Sequence, residues 1–318
     1  MKTLLLVLFT AFLLTCCSQS KQDNETFATT DYLLQDNSIS RLTTINHQNL
    51  KVIKGDLKSF KIYLDKLDND SLTSIPYALD YIKTCISSDN TDLDSIFLLF
   101  NIKFYTITNR LSDSLDTKYN FLTVQLYKDS NTVELNSFKN NLATCGLAIF
   151  SSEGMYYLDV IPDFFYANFK NRVSEGVAEY LNIRKDELEQ GFSEDAGMLI
   201  SFSELYGRVK RWENFTNKYP KTLYSEDANS YYLTYLETLM TGMDNSRVFD
   251  FEQNSLKPEI KSLYESIMKE SSESPTTKII SSYYAFLARH DFKENDSIQI
   301  FLEANDLSTM LAVQPDTR

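Results

Sequence analysis

The sequence has little histidine, glycine, proline or tryptophan. It contains two His, eight Gly, six Pro and one Trp in 318 residues. Two histidines are too few for a multi-histidine metal site, and the zinc-hydrolase, P-loop, dinucleotide-binding and serine-hydrolase motifs are all absent. The scarcity of Gly and Pro argues against a turn-rich sandwich or barrel. We therefore expect no metal, no cofactor and no catalytic residue, and a protein that is not an enzyme.

Positive charge is also in short supply, because 31 Lys and Arg stand against 44 Asp and Glu, for a net charge of −13. A surface of this sign repels nucleic-acid phosphates, and no Lys/Arg run offsets it. We therefore expect no nucleic-acid partner, and a cationic partner suits the charge better.

The chain starts with Lys2 and an almost wholly apolar stretch from Thr3 to Leu14. This stretch is shorter than the ~20 residues that a membrane-spanning helix needs. A short, cation-flanked apolar stretch at the N-terminus is typical of a secretory signal peptide. It ends in Leu14-Thr15-Cys16-Cys17 rather than in an Ala-x-Ala-like site.

These last four residues resemble the lipobox of bacterial lipoproteins, in which a Leu three positions before a Cys directs diacylglycerol to its sulfur. The resemblance implies a signal peptide over residues 1–16, lipid attachment at Cys17 and an acylated flexible tether over residues 17–30. Cys16 departs from the Gly, Ala or Ser that is usual at its position, and the alternative is a non-lipidated signal or a poorly cleaved anchor. Ser18 stands where lipoproteins retained in the inner membrane often carry Asp, so the resemblance implies the outer membrane, on its periplasmic or cell-surface face.

From Leu57 onward, apolar residues recur every three or four positions, which predicts amphipathic helices, one of them continuing from Leu135 to Ile149. In the second half we predict helix caps at Ser203 and Ser225 and helix starts at Pro258 and Pro275. No pair of alternating strands joined by a two-residue turn is evident. We therefore predict an all-α fold of helical hairpins. A chain break at residues 151–154 predicts a boundary between an N-terminal helical region, residues 31–153, and a C-terminal helical-hairpin region, residues 154–318.

The C-terminal region contains a candidate repeat, because residues 212–232 align without gaps on residues 264–284. The motif Phe215-x-x-x-Tyr219-Pro220-x-Thr222, followed by Ala228, is similar to the signature of tetratricopeptide-like repeats in outer-membrane assembly lipoproteins. The resemblance implies an irregular array, because those repeats have a period of ~34 residues and the offset here is 52. The alternative is two unrelated hairpins with similar packing.

Several side chains allow two interpretations. The loop from Thr241 to Phe251 mixes apolar with charged residues, which makes Met243, Arg247, Phe249 and Phe251 a candidate partner loop; the alternative is that its apolar residues hold it against the core. Cys85 and Cys145 fit either a disulfide or two buried thiols. Glu175, Glu179, Glu187 and Glu189 are interpreted as a solvated helix face rather than as a glycosidase pair.

Taken together, the sequence predicts a membrane-anchored cell-envelope lipoprotein that acts as a non-enzymatic protein-binding or scaffold module. Its expected partners are the lipid bilayer, through the acyl chains, and a protein of the envelope. The main alternative is a surface glycan-binding lipoprotein, which would need several Trp or Tyr on one exposed plane; Trp212 lies instead on an apolar helical stripe and is predicted to be core. An envelope hydrolase is a weaker alternative, since no nucleophile constellation is present.

Overall fold

The computed structural model of this chain describes residues 55–87, 89 and 92–307. Within these ranges the fold is all-α, as predicted, with twelve helices and only three short two-stranded hairpins. The predicted signal peptide, Cys17 and the tether lie outside the described residues. None of the described helices is both long enough and apolar enough to cross a bilayer.

Five helices of the described residues precede the β1–β2 hairpin. They are α1 (Leu57–Lys66), α2 (Ser74–Cys85), α3 (Leu93–Asp113), α4 (Asn120–Tyr127) and α5 (Val133–Thr144). The apolar stripe of α3 is buried along the whole helix, because its members recur every three or four residues and share one face. Helices α1 and α2 pack against α3, so α3 is the central element of this part of the chain.

The first hairpin consists of β1 (Leu147–Ser152) and β2 (Met155–Val160), which pair antiparallel along all six positions. Its two-residue turn, Glu153-Gly154, has positive φ at both residues, which is typical of a type I′ turn. The expectation that the chain has no such hairpin is therefore wrong, and so is the prediction that α5 continues to residue 149.

The hairpin also bears on the predicted domain boundary. Residues 153 and 154, where the two predicted regions meet, form the turn between strands that are paired with each other. The described residues on both sides of this turn belong to one compact unit.

Between residues 161 and 307, seven further helices follow, and two very short hairpins lie among them. The helices are α6 (Phe164–Phe169), α7 (Glu175–Gln190), α8 (Phe202–Lys218), α9 (Ser225–Thr241), α10 (Pro258–Ile267), α11 (Pro275–Arg289) and α12 (Ser297–Ala304). The strands are β3 (Ser193–Glu194) with β4 (Gly197–Met198), and β5 (Gly242–Met243) with β6 (Ser246–Arg247).

Some predicted helix starts are confirmed and others are shifted. Pro258 and Pro275 occupy the first turns of α10 and α11, as predicted. Helix α8 is capped by Ser201, in a capping box with Glu204, and not by Ser203. Ser225 lies inside α9 rather than capping it.

The two aligned segments fall on α8–α9 and on α10–α11, and each is a helix, a short turn and a second helix. Trp212 and its counterpart Tyr264 are both fully buried, which confirms the predicted core position of Trp212. The tetratricopeptide-like relationship stays a prediction.

Candidate docking surface

The densest carboxylate segment is divided between solvent and core: Glu175 and Glu189 are exposed, as predicted, whereas Glu187 belongs to a buried polar network. Glu187 of α7 is buried, and its carboxylate accepts hydrogen bonds from Trp212 Nε1 at 2.7 Å and from the Tyr235 hydroxyl at 3.1 Å. Arg184 pairs with the same carboxylate at 3.0 Å. The interpretation of Glu187 as solvated is therefore wrong, because helix position alone did not show that α8 and α9 cover this residue.

Arg208 extends the network to the end of α7. Its guanidinium donates to the Gln190 side chain at 2.9 Å, to the Gly191 carbonyl at 2.5 Å and to the Tyr235 hydroxyl at 3.3 Å. A cation at a helix C-terminus satisfies carbonyls that have no partner within the helix. Burial and the charge of Glu187 raise the pKa of Tyr235 above its ordinary value, so its hydroxyl keeps its proton.

This network connects helices α7, α8 and α9. Trp212, Tyr235, Glu187 and Arg208 are all buried, and their polar atoms bind one another. Buried polar networks of this kind specify how helices pack. In the described ranges, no group of three or more His, Cys, Asp or Glu side chains is placed to hold a metal ion.

The predicted partner loop divides into buried and exposed residues. Phe249 is buried, and Met243 is half-buried against the core. Arg247 pairs with Glu294 at 2.6 Å, and its guanidinium lies 5.7 Å from the ring centroid of Phe251. Only Phe251, 83% exposed, offers a large apolar contact to a partner, so most of this loop is anchored to the core.

The two cysteines of the described chain do not form a disulfide with each other. Cys85 ends α2 and is half-buried, whereas Cys145 is buried in the core at the end of α5. Of the two interpretations, the structure therefore shows thiols. Cys17, the predicted lipid attachment site, lies outside the described residues.

The strongest candidate for a functional surface lies around α4, which no sequence motif had indicated. Five of the twelve exposed large apolar side chains of the described residues lie here. They are Phe121, Val124, Tyr127, Val133 and Met155, and we name this set the α4 surface. Contiguous exposed apolar side chains of this kind mark interaction sites more often than isolated ones do.

Specific contacts hold together the segments that carry the α4 surface. The Tyr127 hydroxyl donates to the Gly154 carbonyl at 2.8 Å, and its ring meets the Tyr156 ring edge-on at 4.9 Å. These contacts hold α4 against the tip of the β1–β2 hairpin, next to Met155. A turn stabilised by a Thr132–Gln125 side-chain hydrogen bond places Val133 beside the end of α4.

Exposed charged residues of both signs lie next to the α4 surface in the chain. Lys118 and Lys128 are exposed near the two ends of α4, and Asp129, Glu134 and Glu153 are exposed near its C-terminal side. An apolar centre with a charged rim is the usual arrangement of a protein–protein interface. A signal for it existed in the sequence, because α4 carries apolar residues on more than one face, which is too many for a helix that buries one face.

This geometry does not support the glycan-binding alternative. Trp212, the only tryptophan, is fully buried, and the rings of Tyr127 and Tyr156 are inclined by 67° rather than coplanar. Comparisons with protein-family models, with curated proteins and with solved structures found no match to this chain.

Proposed function

We propose that this protein is a membrane-anchored envelope lipoprotein whose helical body binds a protein partner through the α4 surface and has no catalytic role. The observation that carries the proposal is that Phe121, Val124, Tyr127, Val133 and Met155 are all exposed and lie on segments that specific contacts hold together, with exposed charged residues next to them in the chain. Burying such a patch against a partner is favourable, at about 25 cal/mol per Å² of apolar area.

Resemblance to the lipobox supports the anchor. Acylation at Cys17 would bury more methylene groups than a single myristoyl chain does, so attachment would be effectively permanent. The residues that follow, Ser18 to Glu25, are polar, as a solvated tether requires.

A pull-down from detergent-solubilised envelopes tests the partner surface. The variant Val133→Gln/Met155→Gln replaces the two most exposed members of the α4 surface, at 81% and 65% exposure. The matched control, Leu223→Gln/Ile300→Gln, changes two exposed apolar residues elsewhere. We expect a partner that the wild type and the control retain and the α4 variant loses. Equal retention by all three proteins would rule out the α4 surface as the binding site.

Membrane fractionation tests the anchor. Cys17→Ala should leave the protein in the soluble fraction or as an unprocessed precursor. Cys16→Ala should remain membrane-bound, because Ala is usual at that lipobox position. Full processing and membrane attachment of the Cys17→Ala protein would refute lipidation at this residue.

A further inference from the structure

The β1–β2 hairpin has two edges that differ in their hydrogen bonding. Its two-residue turn makes Ser152 and Met155 a hydrogen-bonded pair, and such pairs then alternate along the strands. The bond from Ile161 N–H to the Gly146 carbonyl, 2.9 Å, agrees with this alternation. The backbone groups of Ile149 and Ser151 therefore point away from β2.

Two outward N–H groups on the edge of β2 have hydrogen-bond partners. Leu158 N–H donates to the Ser112 side chain of α3 at 3.0 Å, and Val160 N–H donates to the Asp159 carboxylate at 2.6 Å. The outward backbone groups of β1 differ from those of β2. Among the residues that the structure describes, no group binds the outward N–H or carbonyl of Ile149 or Ser151.

Strand β1 also lacks the residues that usually protect an edge. Its sequence, Leu-Ala-Ile-Phe-Ser-Ser, contains no charge and no proline. Natural edge strands are commonly protected by lysine, proline, a bulge or a covering segment, because open backbone groups pair readily with another strand. Ser151 is exposed and Ile149 is half-buried.

We infer that the β1 edge binds an extended, positively charged segment of a partner protein, which adds as a third strand. The open N–H and carbonyl groups require an extended occupant, since only a strand matches their spacing. The net charge of −13 favours a cationic segment over a second copy of this chain. The inference rests on the proposed partner-binding function and identifies the partner's conformation and charge.

A peptide-binding assay on the folded protein tests this inference. The probe is a short, end-blocked peptide in which valine alternates with threonine between terminal lysines. Its counterpart carries glutamate in place of lysine. We expect the wild type to bind the lysine peptide more tightly, and backbone hydrogen exchange at Ile149 and Ser151 to slow when it is added.

Ser151→Pro provides the decisive variant, because it removes an outward N–H that the hairpin does not use. Proline is tolerated at such edge positions. Ser151→Thr is the matched control, since it keeps the N–H and the strand preference. We expect Ser151→Pro to bind the lysine peptide about tenfold more weakly than Ser151→Thr, with an unchanged melting temperature.

The remaining outcomes overturn the inference. They are no peptide binding by the wild type, equal binding by both Ser151 variants, or protection away from β1. A wild-type dimer that Ser151→Pro converts to a monomer would show a second copy on this edge instead. Because the pull-down with the α4 variant uses no peptide, it can succeed where this assay fails, so the two proposals are distinguishable.

Discussion

Trp212 and Glu187 stabilise the core together, because the indole N–H and the carboxylate are both buried and are hydrogen-bonded to each other. The indole N–H donates to the carboxylate at 2.7 Å, and the Trp212 ring stacks on Tyr231 at 5.1 Å between centroids. A buried carboxylate without its donors is costly, so the residue pair constrains how α7 packs on α8.

Replacing Trp212 by alanine should lower the free energy of unfolding by ~3–5 kcal/mol, since it opens a large cavity. Urea denaturation with circular dichroism detection measures the loss. A near-wild-type midpoint would place the indole outside the core.

The conservative variant Trp212→Phe separates packing from hydrogen bonding. It keeps an aromatic ring but removes the donor to Glu187, so we expect a smaller loss of ~1–3 kcal/mol. A loss as large as that of the alanine variant would mean that the hydrogen bond dominates the contribution of Trp212.

At the scale of elements, the β1–β2 hairpin depends on how α5 ends. Gly146 connects α5 to β1 with a φ of +77°, and a Cβ at this position would overlap the Phe164 ring. Gly154, in the hairpin turn, has a similar φ of +80°, but a Cβ there would have no neighbouring atom within 4 Å. The two glycines therefore share a backbone requirement and differ in packing.

Alanine at these two glycines should give unequal losses of stability. Gly154→Ala should cost only the left-handed backbone strain, ~1–2 kcal/mol. Gly146→Ala adds overpacking against Phe164, for a further ~1–3 kcal/mol. Thermal unfolding of both variants measures the difference, and equal melting temperatures would contradict the tight packing of α6 under the hairpin.

A hydrogen bond at the start of α11 connects the α10–α11 hairpin to the α8–α9 hairpin. Ser274 caps α11 by accepting from Thr277 N–H, and its hydroxyl donates to the buried Glu213 carboxylate of α8 at 2.7 Å. Glu265, the aligned counterpart of Glu213, instead accepts from the Tyr284 hydroxyl. The aligned glutamates thus make different contacts, which a comparison of aligned letters does not reveal.

At the scale of the whole molecule, many tyrosines are buried. Burial raises the pKa values of Tyr180, Tyr235, Tyr264 and Tyr283 above the ordinary value of 10.0. In the unfolded chain these hydroxyls would lose their protons near that ordinary value. The unfolded state therefore binds fewer protons above pH 10, and stability must fall as the pH rises.

We accordingly expect alkaline unfolding above pH 10, with tyrosinate absorbance rising as the helical signal disappears. Tyr264→Phe removes one buried hydroxyl, so its stability should fall less steeply with pH, by ~1.4 kcal/mol per pH unit. Titration of all tyrosines near pH 10 with the helices intact would contradict this expectation.

Spacing along the chain was enough to determine the fold class and much of the core. The apolar stripes of α3 and α8 follow from helical geometry, because residues three and four apart share a face whatever the partner is. The lipobox resemblance likewise needs only adjacent residues, and the anchor at Cys17 stays a prediction.

Only the tertiary structure decided which polar groups are buried, which apolar groups are exposed and which backbone edge is open. Glu187 is buried because α8 and α9 cover it, and Tyr127 is exposed because no described helix covers the outer side of α4. The sequence analysis did not find the β1 strand for two reasons. The hairpin turn is Glu-Gly rather than one of the usual hairpin dipeptides, and apolar and polar residues do not alternate regularly along β1. Each of these features depends on contacts between residues distant in the chain, and periodicity reports only on neighbours.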